Sequence, residues 1–81
     1  MKFFVYYHYF HNPANEYAMI EAVGYRIDKV ELFNLLGQKL FESEVNNSTT
    51  RINTTNLLNG TYFVKVYINN TTITKKVTIN K

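Results

Sequence analysis

Lys29-Val30-Glu31-Leu32-Phe33-Asn34-Leu35-Leu36-Gly37-Gln38, followed later by Asn56-Leu57-Leu58-Asn59-Gly60-Thr61-Tyr62-Phe63-Val64-Lys65-Val66, decides the reading of this chain. In the first stretch Val30 and Leu32 face one way and Glu31 and Phe33 the other, the period of two that marks a half-buried strand. Leu35-Leu36-Gly37-Gln38 then reads as a turn in which Gly37 takes positive φ. The second stretch carries the strongest corner signal in the chain, Asn59-Gly60, and then alternates with Tyr62, Val64, Val66 and Ile68 on one face. Tyr62 opens its strand just after a glycine, where a tyrosine corner would let its hydroxyl cap a crossover loop.

The same period continues outward. Residues 3–10 form a continuous aromatic and β-branched run, expected as a strand buried on both faces or docked on something. His11-Asn12-Pro13-Ala14-Asn15 breaks it, because Pro13 fixes φ and pushes Asn12 into extended geometry. Further strands are expected over residues 16–23, 39–45, 50–53 and 72–80, with a turn at Gly24 and another at Asn69-Asn70, since Asn tolerates positive φ. In the last strand Ile73, Val77 and Ile79 share a face. About seven short antiparallel strands, with no helical stripe, predict an all-β fold, an immunoglobulin-like Greek-key β-sandwich.

Eighty-one residues make one domain with a thin core. Hydrophobic content of 46% and aromatic content of 16% suit a packed fold rather than a disordered tail. Without cysteine there are no disulfides or thiolate metal sites. The net charge of +3 is divided unevenly: all six acids precede residue 45, whereas Arg51, Lys65, Lys75, Lys76 and Lys81 follow it unopposed. Such a basic part suits an acidic partner, a receptor groove or an anionic lipid surface; lysines also guard sheet edges. The first ten residues begin with a basic residue and an apolar run, but carry Tyr and His and lead into Asn12-Pro13 rather than a small-residue cleavage site, so no signal peptide is read there. No run approaches the length of a membrane span.

Catalytic constellations are lacking. His8, His11 and Glu16 are the candidate metal ligands, but strand positions three apart face opposite ways, and a partly buried His and a loop His explain them. Asp28 is the sole Asp, and no nucleophile elbow surrounds Ser43 or Ser48. Glu42 and Glu44 share a strand face as solvent charges. No phosphate loop or specific nucleic-acid surface is present. Six Asn-x-Ser/Thr triplets follow from a chain rich in Asn and Thr. The reading is not an enzyme, with no cofactor, no metal and no nucleic-acid partner.

Taken together, Asn12-Pro13-Ala14, Asn34 with Gly37-Gln38, Leu57 with Gly60, Tyr62 and Val64, and finally Lys75-Lys76-Val77 stand in an order and spacing that resembles the C-terminal sorting domain of type IX secretion cargo, type A, of Bacteroidetes-type bacteria. His11 stands where that family usually has Pro. The resemblance runs from about Tyr9 onward, giving a sorting domain over residues 9–81 and an aromatic lead-in or linker over residues 1–8.

The resemblance implies a C-terminal secretion signal, read by the type IX outer-membrane translocon and cut from cargo by a sortase-like protease. Anionic lipopolysaccharide would be met only through the cargo. The implied location is the outer membrane, the cell surface or the medium, as part of a larger cargo. Lacking a signal peptide and a cargo domain, the chain is expected to be a fragment, an excised domain or a short reading frame. The rival is a carbohydrate- or protein-binding β-sandwich module, whose sugar-binding surface would need coplanar exposed aromatics on one sheet, with Tyr6, Tyr7, Tyr17 and Tyr67 as candidate contributors. Residues 3–9 are expected to drive self-association, through whichever face, Phe3/Val5/Tyr7/Tyr9 or Phe4/Tyr6/His8/Phe10, stays uncovered.

Overall fold

A strand with one apolar face must cover it, and two such sheets do so by packing against each other. The computed structural model describes residues 2–8 and 16–81, with side chains at 2–5 and 16–81. Among the described residues there are seven strands and no helix: β1 (Lys2–His8), β2 (Tyr17–Val23), β3 (Ile27–Phe33), β4 (Lys39–Asn47), β5 (Thr49–Asn53), β6 (Gly60–Ile68) and β7 (Thr71–Ile79). They form two antiparallel sheets, ordered β1-β2-β5 and β4-β3-β6-β7. The all-β, seven-strand expectation is met.

The core is the sum of the inward faces. Ala18, Ile20 and Ala22 of β2 and Ile52 of β5 come from one sheet. Val30 and Leu32 of β3, the Tyr62/Val64/Val66/Ile68 face of β6, and Val77 and Ile79 of β7 come from the other. The alternation read in β6 is therefore the alternation of burial, and the inward residues read in β3 and β7 lie in the core, although in β3 the outward Glu31 is buried as well.

β1 lies along β2 with Phe3 opposite Ala22 and Val5 opposite Ile20, both half-buried against the core. Phe4 points away and is 49% exposed. The strand is thus docked, with burial on one face only at the described side chains. Tyr9 and Phe10, which extended the expected strand, lie outside the described residues.

The turns separate to two ends. After β2, Gly24 has φ +78, and Asn46 and Asn69 take positive φ at the far ends of β4 and β6. The β3–β4 hairpin and the β5–β6 corner meet at the other end, where Glu16 and Lys81 also lie.

Candidate functional site at the two glycine corners

Asn34 builds the first corner. Its Oδ1 accepts from the amides of Leu36 (2.9 Å) and Gln38 (3.0 Å), and its Nδ2 donates to Gln38 Oε1 (2.8 Å). The backbone closes around it: Gly37 N–H donates to the Asn34 carbonyl (3.0 Å) and Asn34 N–H to the Gln38 carbonyl (3.1 Å). A short amide side chain that satisfies successive backbone donors is the chemistry of Asx turns. Gly37 sits at φ +83, as expected, and a Cβ there would meet nothing within 4 Å. Any cost of a side chain at Gly37 is therefore backbone strain alone. Gly37→Val is expected to lose roughly 1–2 kcal/mol, and Gly37→Asn less, because Asn visits the left-handed region. Thermal melts of both check this; an unchanged melting temperature for the valine variant would contradict it.

The second corner is held from both sides. Asn53 Oδ1 accepts from Thr55 N–H (2.9 Å), and Leu57 N–H donates to the Thr54 carbonyl (3.0 Å). Leu57 packs on the core while Leu58 stays in solvent. The Tyr62 hydroxyl donates to the Leu58 carbonyl (2.7 Å), so the tyrosine corner read in the sequence is formed. Gly60 has φ +153.

A buried carboxylate ties this corner to the start of β2 and to Lys81 beyond β7. Glu16, just before β2, is 4% exposed. Its Oε1 accepts from Thr54 Oγ1 (2.9 Å) and pairs with Lys81 Nζ (3.1 Å). Lys81 also donates through Nζ to the Thr55 carbonyl and through its backbone N–H to Asn59 Oδ1, both at 2.9 Å. Such pairing is what makes a buried charge tolerable.

The outer face of the four-stranded sheet carries the remaining chemistry. Register places Lys39, Phe33, Phe63 and Lys76 in one row, with Glu42, Glu31, Lys65 and Thr74 in the next. Glu31 is 6% exposed and accepts from the Tyr67 hydroxyl and from Lys39 Nζ (3.3 Å), which also reaches Glu42 (2.6 Å). Lys29 and Lys65 stand 4.6 and 5.7 Å from the Tyr67 ring centre. The Tyr67 hydrogen bond holds the Glu31 carboxyl below its ordinary value, aided by Lys39 and opposed by burial. Glu42 and then Glu31 raise the Lys39 ammonium, and Glu31 raises the Tyr67 phenol.

A depressed carboxyl stabilises the fold above its unfolded value of 4.5 and loses that contribution as pH falls through the folded value. The raised Lys39 and Tyr67 contribute below 10.5 and 10.0 respectively, and lose it as pH rises past those values. Glu31→Gln is therefore expected to lower the melting temperature at pH 7, with the gap to the parent closing below about pH 4.5. A gap independent of pH would show that Glu31 acts by packing alone.

Of the residues singled out in the sequence, Asn34, Gly37, Gln38, Leu57, Gly60 and Tyr62 come together at one end of the sandwich. Val64 lies in the core, opposite Lys75, while Lys76 stands opposite Phe63; both lysines are exposed on the edge strand β7. Asn12, Pro13, Ala14 and His11 lie outside the described residues, as do the side chains of Tyr6, Tyr7 and His8. Tyr17, under the Arg51 guanidinium at 4.3 Å, and Tyr67 occupy the outer faces of different sheets, so these two form no common platform. The Glu31–Tyr67–Lys39 network and the Lys81–Thr54 partnership of Glu16 were not foreseen. Glu31 could be placed on the outward face by parity, but nothing local pointed to Tyr67.

A search of curated proteins finds no match. The family model described as the secretion system C-terminal sorting domain matches residues 8–80, so most of β1 precedes the matched region. With the ordered motifs, the two-sheet fold and this match over nearly the whole length in agreement, the chain belongs to the C-terminal sorting domains, the sorting signals of the type IX secretion system.

Proposed function

We propose that this domain is a non-catalytic recognition label, read by the type IX outer-membrane translocon and removed from its cargo by a sortase-like protease. The cargo would then be left at the cell surface, joined to anionic lipopolysaccharide, or released. The observation that carries the reading is the convergence of Asn34, Gly37, Gln38, Leu57, Gly60 and Tyr62 on two rigid corners at one end, beside an edge strand bearing exposed Lys75 and Lys76. A strand at the edge of its sheet suits β-augmentation or groove docking, and lysines on it limit promiscuous pairing. The strand order of the two sheets supports an immunoglobulin-like Greek key. Residues 9–81 are the sorting domain in this reading, and residues 1–8 are a lead-in, of which Lys2–His8 pair with β2.

The test is transplantation. The full chain is fused behind a signal peptide and a reporter in a type IX-competent host, and reporter is measured in the medium and on the cell surface. Export by the parent, lost on Lys75→Glu/Lys76→Glu with the melting temperature retained, is the expected result. Reporter left in the periplasm with the parent domain folded would sink the proposal. The exposed Phe4 on edge strand β1 supports self-association through residues 3–9. Light scattering checks this: Phe4→Lys should be more monomeric than the parent, and equal scattering refutes it.

A further inference from the structure

We propose that the corner-bearing end of the sandwich docks on an anionic lipid surface, with Leu35, Leu36 and Leu58 entering the interface. Leu36 and Leu58 are 85% and 82% exposed and Leu35 is 66% exposed, at the tips of two loops that line one shallow depression. Three leucines held in water at one place form an exposed apolar patch that marks an interaction site. The loops beneath them are fixed by Asn34, by the Tyr62 hydroxyl and by Lys81, so the leucines are presented rather than merely unpacked.

Charge selects the occupant. Lys65 borders the depression beside Leu35, and Lys81 borders the one beside Leu58. Lys39 and Lys76 flank the Phe33–Phe63 row just behind. Glu16 is paired with Lys81, and Glu42 and Glu31 share Lys39, so these four-stranded-sheet and corner charges are spent on the fold; among the described residues, Lys65 and Lys76 are in no ion pair. Residues 9–15, which join His8 to Glu16, contain no acid. Half-buried Glu21 and Asp28 lie toward the other end, Glu21 opposite Phe4 and Thr49 and Asp28 accepting from Asn69 N–H, and exposed Glu44 lies opposite Lys29. An apolar tip with lysines such as Lys65 and Lys76 behind it can insert among acyl chains while those lysines meet anionic headgroups. A second copy of the chain would set Lys65 and Lys76 against the same lysines of its partner.

Co-sedimentation of the full chain with vesicles decides the matter. Binding is expected to phosphatidylglycerol/phosphatidylcholine vesicles, much less to phosphatidylcholine alone, and to weaken with salt. Leu36→Ser/Leu58→Ser should weaken binding on the order of tenfold with the melting temperature unchanged, and Lys76→Ala should reduce the salt dependence. No binding by the folded parent, or equal binding by the leucine variant, overturns the proposal. If the leucine variant abolishes concentration-dependent dimers without altering vesicle binding, the tip belongs to a second copy. If the parent ignores vesicles while the leucine variant loses export of the reporter, the occupant is a protein. Because vesicle binding needs no translocon, this proposal and the recognition reading fail separately.

Discussion

Ile20→Ala is expected to lower stability by about 2–5 kcal/mol, and the melting temperature by roughly 10–25 °C. Ile20 is wholly buried at the middle of β2, the central strand of the three-stranded sheet, between Val5 of β1 and Thr50 of β5. Truncation removes its transfer free energy and leaves a cavity that paired strands on both sides cannot collapse to fill. The effect is large because the reserve is small: at 0.05–0.15 kcal/mol per residue, a chain of this length holds only about 4–12 kcal/mol. Phe4→Ala is the control, since its ring faces solvent from the neighbouring strand and should change stability by only about 0.5 kcal/mol. Circular dichroism melts of the two variants give the comparison. A loss below about 1 kcal/mol for Ile20→Ala would mean that the core is not organised around β2.

What the sequence made legible was parity. Val30 and Leu32 in β3 and the Tyr62-to-Ile68 face of β6 could be assigned inward because side chains alternate along a regular stretch of strand; the irregularity near Ile27, which also lies in the core, breaks that count. The glycine and asparagine turns were legible for a similarly local reason, as Gly37 and Asn69 occupy φ regions that few other residues tolerate. Tyr62 was legible because its hydroxyl partner is only four residues away.

Parity does not say which rows become neighbours. Glu31 and Tyr67 are 36 positions apart and meet only because β3 pairs with β6 in one particular register. Thr54 and Glu16, separated by 38 positions, depend on the corner after β5 folding back to the start of β2. The same gap separated two of the candidate platform tyrosines: Tyr17 and Tyr67 both point outward, but from opposite sheets, while the side chains of Tyr6 and Tyr7 lie outside the described residues. Glu42 and Glu44 were assigned to the solvent face, where both are exposed, yet Glu42 is committed to Lys39. Local sequence carries the faces of strands; the pairing of distant strands decides which charges are spent on the fold and which remain for a partner.

Removing residues 75–81 is expected to unfold the domain rather than simply erase its label. Val77 and Ile79 are buried at 4% and 1% exposure, and burial of each such side chain contributes about 1.5–3 kcal/mol. The truncation also strips the hydrogen-bonded partner from Gly60 through Val64 on β6, exposing the edge of a strand whose inward face builds the core. Lys81 goes with it, and buried Glu16 loses its cationic partner. Together these losses match or exceed the whole reserve of about 4–12 kcal/mol, so a cooperative melt should disappear. Lys75→Glu/Lys76→Glu separates the two roles of the strand: both side chains are exposed, and the melting temperature should move by only a few degrees, on the scale of about 0.5 kcal/mol per surface change. If the truncated chain still melts cooperatively near the parent temperature, β7 is an appendage and not a structural strand. If instead it unfolds as expected, loss of export by the truncation reports only that the domain must be folded, and recognition by the lysines is read from the charge-reversal variant alone.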